Sequence, residues 1–151
     1  MKKLLILLLA NLGALQAADD FIIYSGEKFT TPGIEDLVTG TRDPDITFVR
    51  EFSIPARQKL KLITLFQTQG LLPAEKAIAA AREALLDEHT GEVIKIIRLE
   101  FIDKPIMIGE SPSDALSSYL ISCQINAVTE QRLVLMDGTV LHPTLKKVTE
   151  E

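Results

Sequence analysis

The sequence predicts an α+β fold: a single domain in which a short antiparallel sheet of about four strands is packed by one or two helices. Three observations carry that expectation. The stretch LPAEKAIAAAREALLDEHTG (residues 72–91) has the composition and spacing of an amphipathic helix. The segments 92–102 and 119–128 alternate apolar and polar residues with the period of strands. In RLVLMDGTVLHP (132–143), an Asp-Gly pair sits between two apolar runs, the strongest short-range signal for a hairpin.

The elements follow in chain order. Residues 1–17, MKKLLILLLANLGALQA, have two lysines, an apolar run from Leu4 to Leu9, and small residues at Ala14, Ala17 and Ala18. That is the build of a secretory signal peptide cleaved after Ala17, with an apolar stretch too short to span a bilayer. Residues 18–151 then form the single exported domain, periplasmic or secreted. FIIY (21–24) reads as a short edge strand ending at Ser25-Gly26. Residues 25–45 read as loop, punctuated by Pro32-Gly33, Gly40 and Asp43-Pro44, with one helical turn at IEDLV (34–38). ITFVREF (46–52) reads as a strand.

SIPARQKLKLITLFQTQG (53–70) carries two patterns. Leu60, Leu62, Thr64 and Phe66 alternate as in a strand. Leu60, Ile63 and Phe66 fit a helical face, and Ser53, Pro55 and Gly70 stand where helix start and stop signals belong. The stop and start signals favour helix. In 72–91, Pro73 opens a helix whose Ala74, Ala77, Ile78, Ala81 and Leu85 make one stripe, and Gly91 ends it.

EVIKIIRLEFI (92–102) changes parity at Ile96-Ile97, which predicts a bulge or burial on both faces. KPIMIGESPSDALSS (104–118) reads as an interruption, with Ser111 and Asp114 in capping-box-like spacing. YLISCQINAV (119–128) puts Tyr119, Ile121, Cys123, Ile125 and Ala127 on one face, and a TEQ turn leads on to the hairpin. A two-residue Asp137-Gly138 turn would pair Leu135 with Val140 and Val134 with Leu141. Both faces of that hairpin are apolar, so both need a cover. The 73–90 helix supplies one, and the 54–69 helix or the N-terminal strand supplies the other. The charged KKVTEE end is expected to fray.

An Ala-rich helix, AEKAIAAAREAL, leads through Gly91 into EVIKIIRLEF, followed by the Tyr-led YLISCQI and by MDGTVL. Over about residues 72–141 this order resembles the PepSY domain, a small cystatin-like module of secreted and envelope proteins. The chain departs from that pattern in its long 103–118 connection and in the adjacency of Asp137 and Gly138. The resemblance implies a helix on a short antiparallel sheet, no catalysis, and binding to or restraint of another exported protein, often a peptidase.

Composition narrows the function further. Apolar residues at 46 % and charged residues at 25 % make an ordinary globular mixture, not a disordered one. There is no Trp, and aromatics are only 5 %, so stacking platforms for sugars or bases are scarce. Loss of Lys2 and Lys3 with the signal takes the formal net charge from −5 to −7. No basic footprint exists for a nucleic acid. The lone cysteine, Cys123, cannot form an intramolecular disulfide, so the core holds the fold unaided.

Each reactive residue type has a plainer structural role. Cys123 shares a strand face with Ile121 and Ile125 and reads as a buried thiol. His89, in DEHTG, reads as a residue favoured by a helix C-terminus. His142 precedes Pro143 at the hairpin's end, and two histidines without further cysteines make no recognisable zinc spacing. Asp43 and Asp45 in TRDPD lack the ligand count of a calcium loop. Ser111, Ser113, Ser117 and Ser118 lack a nucleophile elbow. Glu83, Asp87 and Glu88 read as a solvated acidic patch.

The sequence therefore predicts no catalytic, cofactor or metal site. It predicts a small exported protein-binding module whose partner is another exported or envelope protein, with a second copy of the chain as another occupant. Two readings stand against it: a small exported enzyme using Cys123 with His142, and a structural subunit of an envelope assembly.

Overall fold

The computed structural model describes residues 20–33, 40–108 and 111–148. In chain order the elements are β1 (Asp20–Thr31), β2 (Ile46–Pro55), α1 (Ala56–Gln69), α2 (Ala74–Glu88), β3 (Ile94–Ile108), β4 (Ser111–Ile125), β5 (Val128–Leu135), β6 (Val140–Leu141) and β7 (Thr144–Lys147). The strands form two antiparallel sheets, ordered β1-β2-β7 and β3-β4-β5-β6. The α+β class holds, with more strands than the expected four. The expected signal peptide and the IEDLV turn lie outside the described residues.

β4 and β5 form the centre of the molecule because both their faces are buried. Alternate residues enter different clusters, as the two-residue period of a strand requires. Leu116, Leu120, Leu133 and Leu135 pack with Ile23, Phe52 and Ile54 of the three-stranded sheet and with Leu62 and Ile63 of α1. Tyr119, Ile121, Cys123, Ile125, Val134 and Met136 pack with Ala77, Ala81 and Leu85 of α2. The doubly apolar hairpin is thus covered from within. The Ala77 and Ala81 side chains are fully buried, and their small size lets α2 lie close on the sheet. The Tyr119 hydroxyl donates to the Leu72 carbonyl at 3.0 Å and ties the start of that helix to β4.

Several elements differ from expectation, each for a local reason. β1 does not stop at Tyr24; it continues to Thr31 by absorbing irregularities between Ile22 and Tyr24 and between Ser25 and Lys28. Ser53 and Pro55 are not helix-capping residues. They end β2, where Ser53 pairs with Ile22 and Pro55 with Asp20, and α1 begins directly after them. Residues 104–118 are not an interruption: they are the distal arms of a long β3–β4 hairpin, in which Ile106 pairs with Asp114 and Pro105 with Ala115. Pro105 is tolerated because β3 is an edge strand. The expected parity switch is a bulge, with Ile97 extra between the pairs Ile96–Cys123 and Arg98–Ser122.

The turns also differ. β4 and β5 are joined at Asn126-Ala127, not at TEQ, and both turn residues have positive φ, 54° and 71°. In the next hairpin only Gly138 does, at 86°. There the Gly138 N–H donates to the Leu135 carbonyl and the Leu135 N–H to the Thr139 carbonyl, so the loop has three residues with Gly138 in the left-handed position. The Asp137 carboxylate accepts from the Thr139 N–H at 2.9 Å and stabilises that geometry. Leu133 therefore faces Leu141, and Val134 faces Val140. The chain end does not fray at once, because Thr144–Lys147 pairs with β2 as β7.

Candidate functional site

The C-terminal end of α2 meets β5 at a compact ionic cluster. Glu130 and Arg132 share the strand face of Val134 and Met136 and so point toward α2. Glu88 is the last residue of that helix, and His89 is its C-cap, held by an N–H bond to the Leu85 carbonyl. Arg132 is the anchor. Its side chain is 4 % exposed, and Nη2 donates to Glu88 Oε2 at 2.7 Å and to Glu130 Oε2 at 2.9 Å. Nη1 donates to the Gln131 carbonyl, while Nε is buried without a partner.

The other oxygen of each glutamate faces a histidine. His89 Nε2 lies 2.9 Å from Glu130 Oε1, and His142 Nδ1 lies 3.4 Å from Glu88 Oε1. His89 Nδ1 is 3.5 Å from Glu92 Oε2. Ligating atoms of Glu88, His89 and Glu130 all lie within 4.8 Å of one another. Both histidines of the chain thus meet at one place, although 53 positions separate them. Chain order gives no hint of that meeting. One signal was present: Glu130 and Arg132 are charged residues on the parity of the apolar face, where a partner is required.

Cys123 sits beneath this cluster, with Glu130 as its cross-strand neighbour. Its side chain is fully buried. Burial pushes the thiol above its ordinary value, against the opposing pull of Arg132 and Arg82. An attacking group needs the thiolate and access, and this thiol has neither. Among the remaining sequence candidates, Asp45 and Ser117 have structural work. The Asp45 carboxylate accepts from the Gly33 N–H at 2.9 Å and pairs with Arg42 at 3.1 Å, which ties Gly33 to the 42–45 segment. A Cβ on Gly33 would stand 1.7 Å from the Asp43 carbonyl oxygen, so that close approach needs glycine. Ser111 and Ser113 lie within β4. The Ser117 hydroxyl donates to Asp103 Oδ1 at 2.8 Å, and Ser118 is buried with its hydroxyl unpaired. Glu83 and Asp87 are exposed on α2.

Two further surfaces lie apart from the cluster. A cleft of about 370 Å³ opens between the two sheets, lined by Tyr24, Lys28, Arg50, Arg98, Glu100 and Gln131 among others. Within it Arg98 pairs with Glu100 at 2.6 Å, and Arg50 lies over the Phe29 ring at 4.8 Å. The second surface is the outer edge of β3. Among the described residues no strand pairs with it. From Arg98 to Lys104 its inner side pairs residue for residue with Ser122 to Leu116, between the Ile97 bulge and Pro105. Ile97 and Phe101 are half exposed there. No described helix is long and apolar enough to cross a membrane. The chain matches no protein-family model, no curated protein and no solved structure.

Proposed function

We propose that the protein is a small exported, non-catalytic binding module that takes up an extended segment of another exported or envelope protein along the outer edge of β3. The observation that carries this reading is the edge from Arg98 to Lys104, unpaired among the described residues and regular in register between a bulge and a proline, with Phe101 on it. Strand addition uses main-chain bonds for affinity and adjacent side chains for selectivity. The bulge and Pro105 limit the added strand to about seven residues, because each interrupts the ladder. The signal-like N-terminus supports the exported location, and the resemblance of residues 72–141 to PepSY supports a protein partner. Restraint of a peptidase is the most concrete form of the proposal.

Site-specific photocrosslinking in the native host tests it. A photoreactive residue at Phe101 is expected to trap one envelope protein in near-stoichiometric yield. The same group at Leu145, exposed on the other sheet, is expected to leave that protein free. A Phe101→Asp variant gives up the edge-on contact with the Tyr119 ring, 5.6 Å between centroids, so it should melt a few degrees lower while staying folded, and lose the partner. Equal trapping at both positions, or none at Phe101, overturns the proposal. A peptidase as the trapped protein narrows the role to inhibition.

A further inference from the structure

We propose that Glu88, His89 and Glu130, with His142 closing from the hairpin, form a binding site for a divalent transition-metal cation, zinc in the first instance. The ligand chemistry is suitable: imidazole nitrogen and carboxylate oxygen are both zinc donors. Three elements deliver it: the end of α2, the start of β5, and the segment between β6 and β7.

The geometry separates inner and outer roles. Arg132 holds Oε2 of both Glu88 and Glu130. This fixes the two carboxylates and turns Oε1 of each toward an imidazole. Glu92 stands beside Nδ1 of His89 while Nε2 faces the cluster. That arrangement matches a carboxylate–histidine–metal relay, in which the outer carboxylate orients the ring and raises its basicity.

Charge favours the same conclusion. Glu88, Glu92 and Glu130 bring three carboxylates to the cluster against the guanidinium of Arg132, with Arg82 also near enough to act on Cys123 beneath it, so carboxylates outnumber guanidiniums and the excess favours a cation. Tetrahedral zinc with bonds of about 2.0–2.2 Å needs donor atoms about 3.4 Å apart. The widest separation among the three principal donors, 4.8 Å at most, must therefore close by up to about 1.4 Å, while His89 Nε2 and Glu130 Oε1, at 2.9 Å, must part by about half an ångström. Glu88, His89 and Glu130 each keep a quarter or more of the side chain exposed, and the adjustment is a rotation of each carboxylate about its Arg132-bound Oε2 together with a turn of the His89 ring. His142, 56 % exposed and 3.4 Å from Glu88 Oε1, lies outside that three-residue group and must turn toward it to supply the fourth donor.

The test is a calorimetric titration of the tag-free chain from Ala18 with Zn²⁺ at neutral pH, using Ca²⁺ as the comparison cation. One zinc per chain is expected, bound at least tenfold more tightly than calcium. His142→Ala, which alters an exposed side chain outside both apolar clusters, is expected to weaken zinc at least fivefold without moving the melting temperature. His89→Gln and Glu130→Gln are expected to weaken it at least tenfold, and Glu92→Gln, acting through His89, by a smaller factor. Imidazole ¹⁵N shifts supply a readout on the native sequence: His89 Nε2 should move on zinc addition, with Nδ1 staying protonated. No zinc binding, binding indifferent to both histidines, or calcium bound as tightly as zinc overturns the site and leaves an ionic network alone. None of these outcomes depends on the β3 edge.

Discussion

Cys123 shows how burial alone decides a residue's chemistry. The thiol lies between Ile121 and Ile125 under α2, and its deprotonation is opposed by loss of solvent. Its pKa is higher in the folded chain than in the unfolded one. As pH rises past the unfolded thiol's value, near 8.5–9, the unfolded state releases a proton that the native state retains. Stability contributed by this group is therefore complete below that pH and declines above it. Urea unfolding between pH 8 and 10 is expected to show a steeper loss for the native sequence than for Cys123→Ala. Equal slopes would mean that the thiol titrates alike in both states. The burial of Cys123 was legible from its alternation with isoleucines. The company kept by the two histidines was not, because residues 88–92, 130–132 and 142 converge only through tertiary pairing.

At the scale of elements, the turns hold the clearest departure from local preference. Asn126-Ala127 occupies a two-residue connection in which both positions have positive φ. Asn tolerates the left-handed region, but an alanine there costs about 1–2 kcal/mol. Glycine removes that strain and adds about 0.5–1 kcal/mol of unfolded-chain entropy. Of these two opposing effects the relief of strain is greater. Ala127→Gly should therefore stabilise the protein by about 0.5–1 kcal/mol, a rise of roughly 2–3 °C in Tm for a chain of this size. A fall in Tm on thermal unfolding would show that the turn's φ values relax without cost. Local signals served well where one pattern ran unbroken, as in the Ala77-Ala81-Leu85 stripe and the parity switch at Ile97. They failed where an edge strand absorbed punctuation. Ser25-Gly26 in β1 and Pro105 in β3 read as stops, yet bulges and unpaired edges accommodate them. The Asp-Gly signal located its hairpin correctly but placed the register one residue off, since a three-residue loop replaced the two-residue turn.

For the whole molecule, the decisive fact is that β4 and β5 feed two apolar clusters with alternating residues. Leu133 and Leu135 enter the cluster shared with the three-stranded sheet and α1, while Val134 and Met136 enter the one under α2. The three-stranded sheet itself was not legible, because it joins distant chain segments: β1 and β2 within residues 20–55, β7 at residues 144–147. Local periodicity carries no record of such pairing. The shared strands have an energetic consequence. Neither cluster can lose its packing without disturbing the backbone that presents the other, so both should unfold in one transition. Leu133→Ala removes a fully buried side chain from only the first cluster, at a cost of about 3 kcal/mol. Amide hydrogen exchange is expected to show protection falling by the same factor at Phe52 in β2 and at Leu85 in α2, although only Phe52 belongs to the damaged cluster. If protection falls at Phe52 and persists at Leu85, the clusters are separate cooperative units, and β4 and β5 hold together on α2 without the three-stranded sheet.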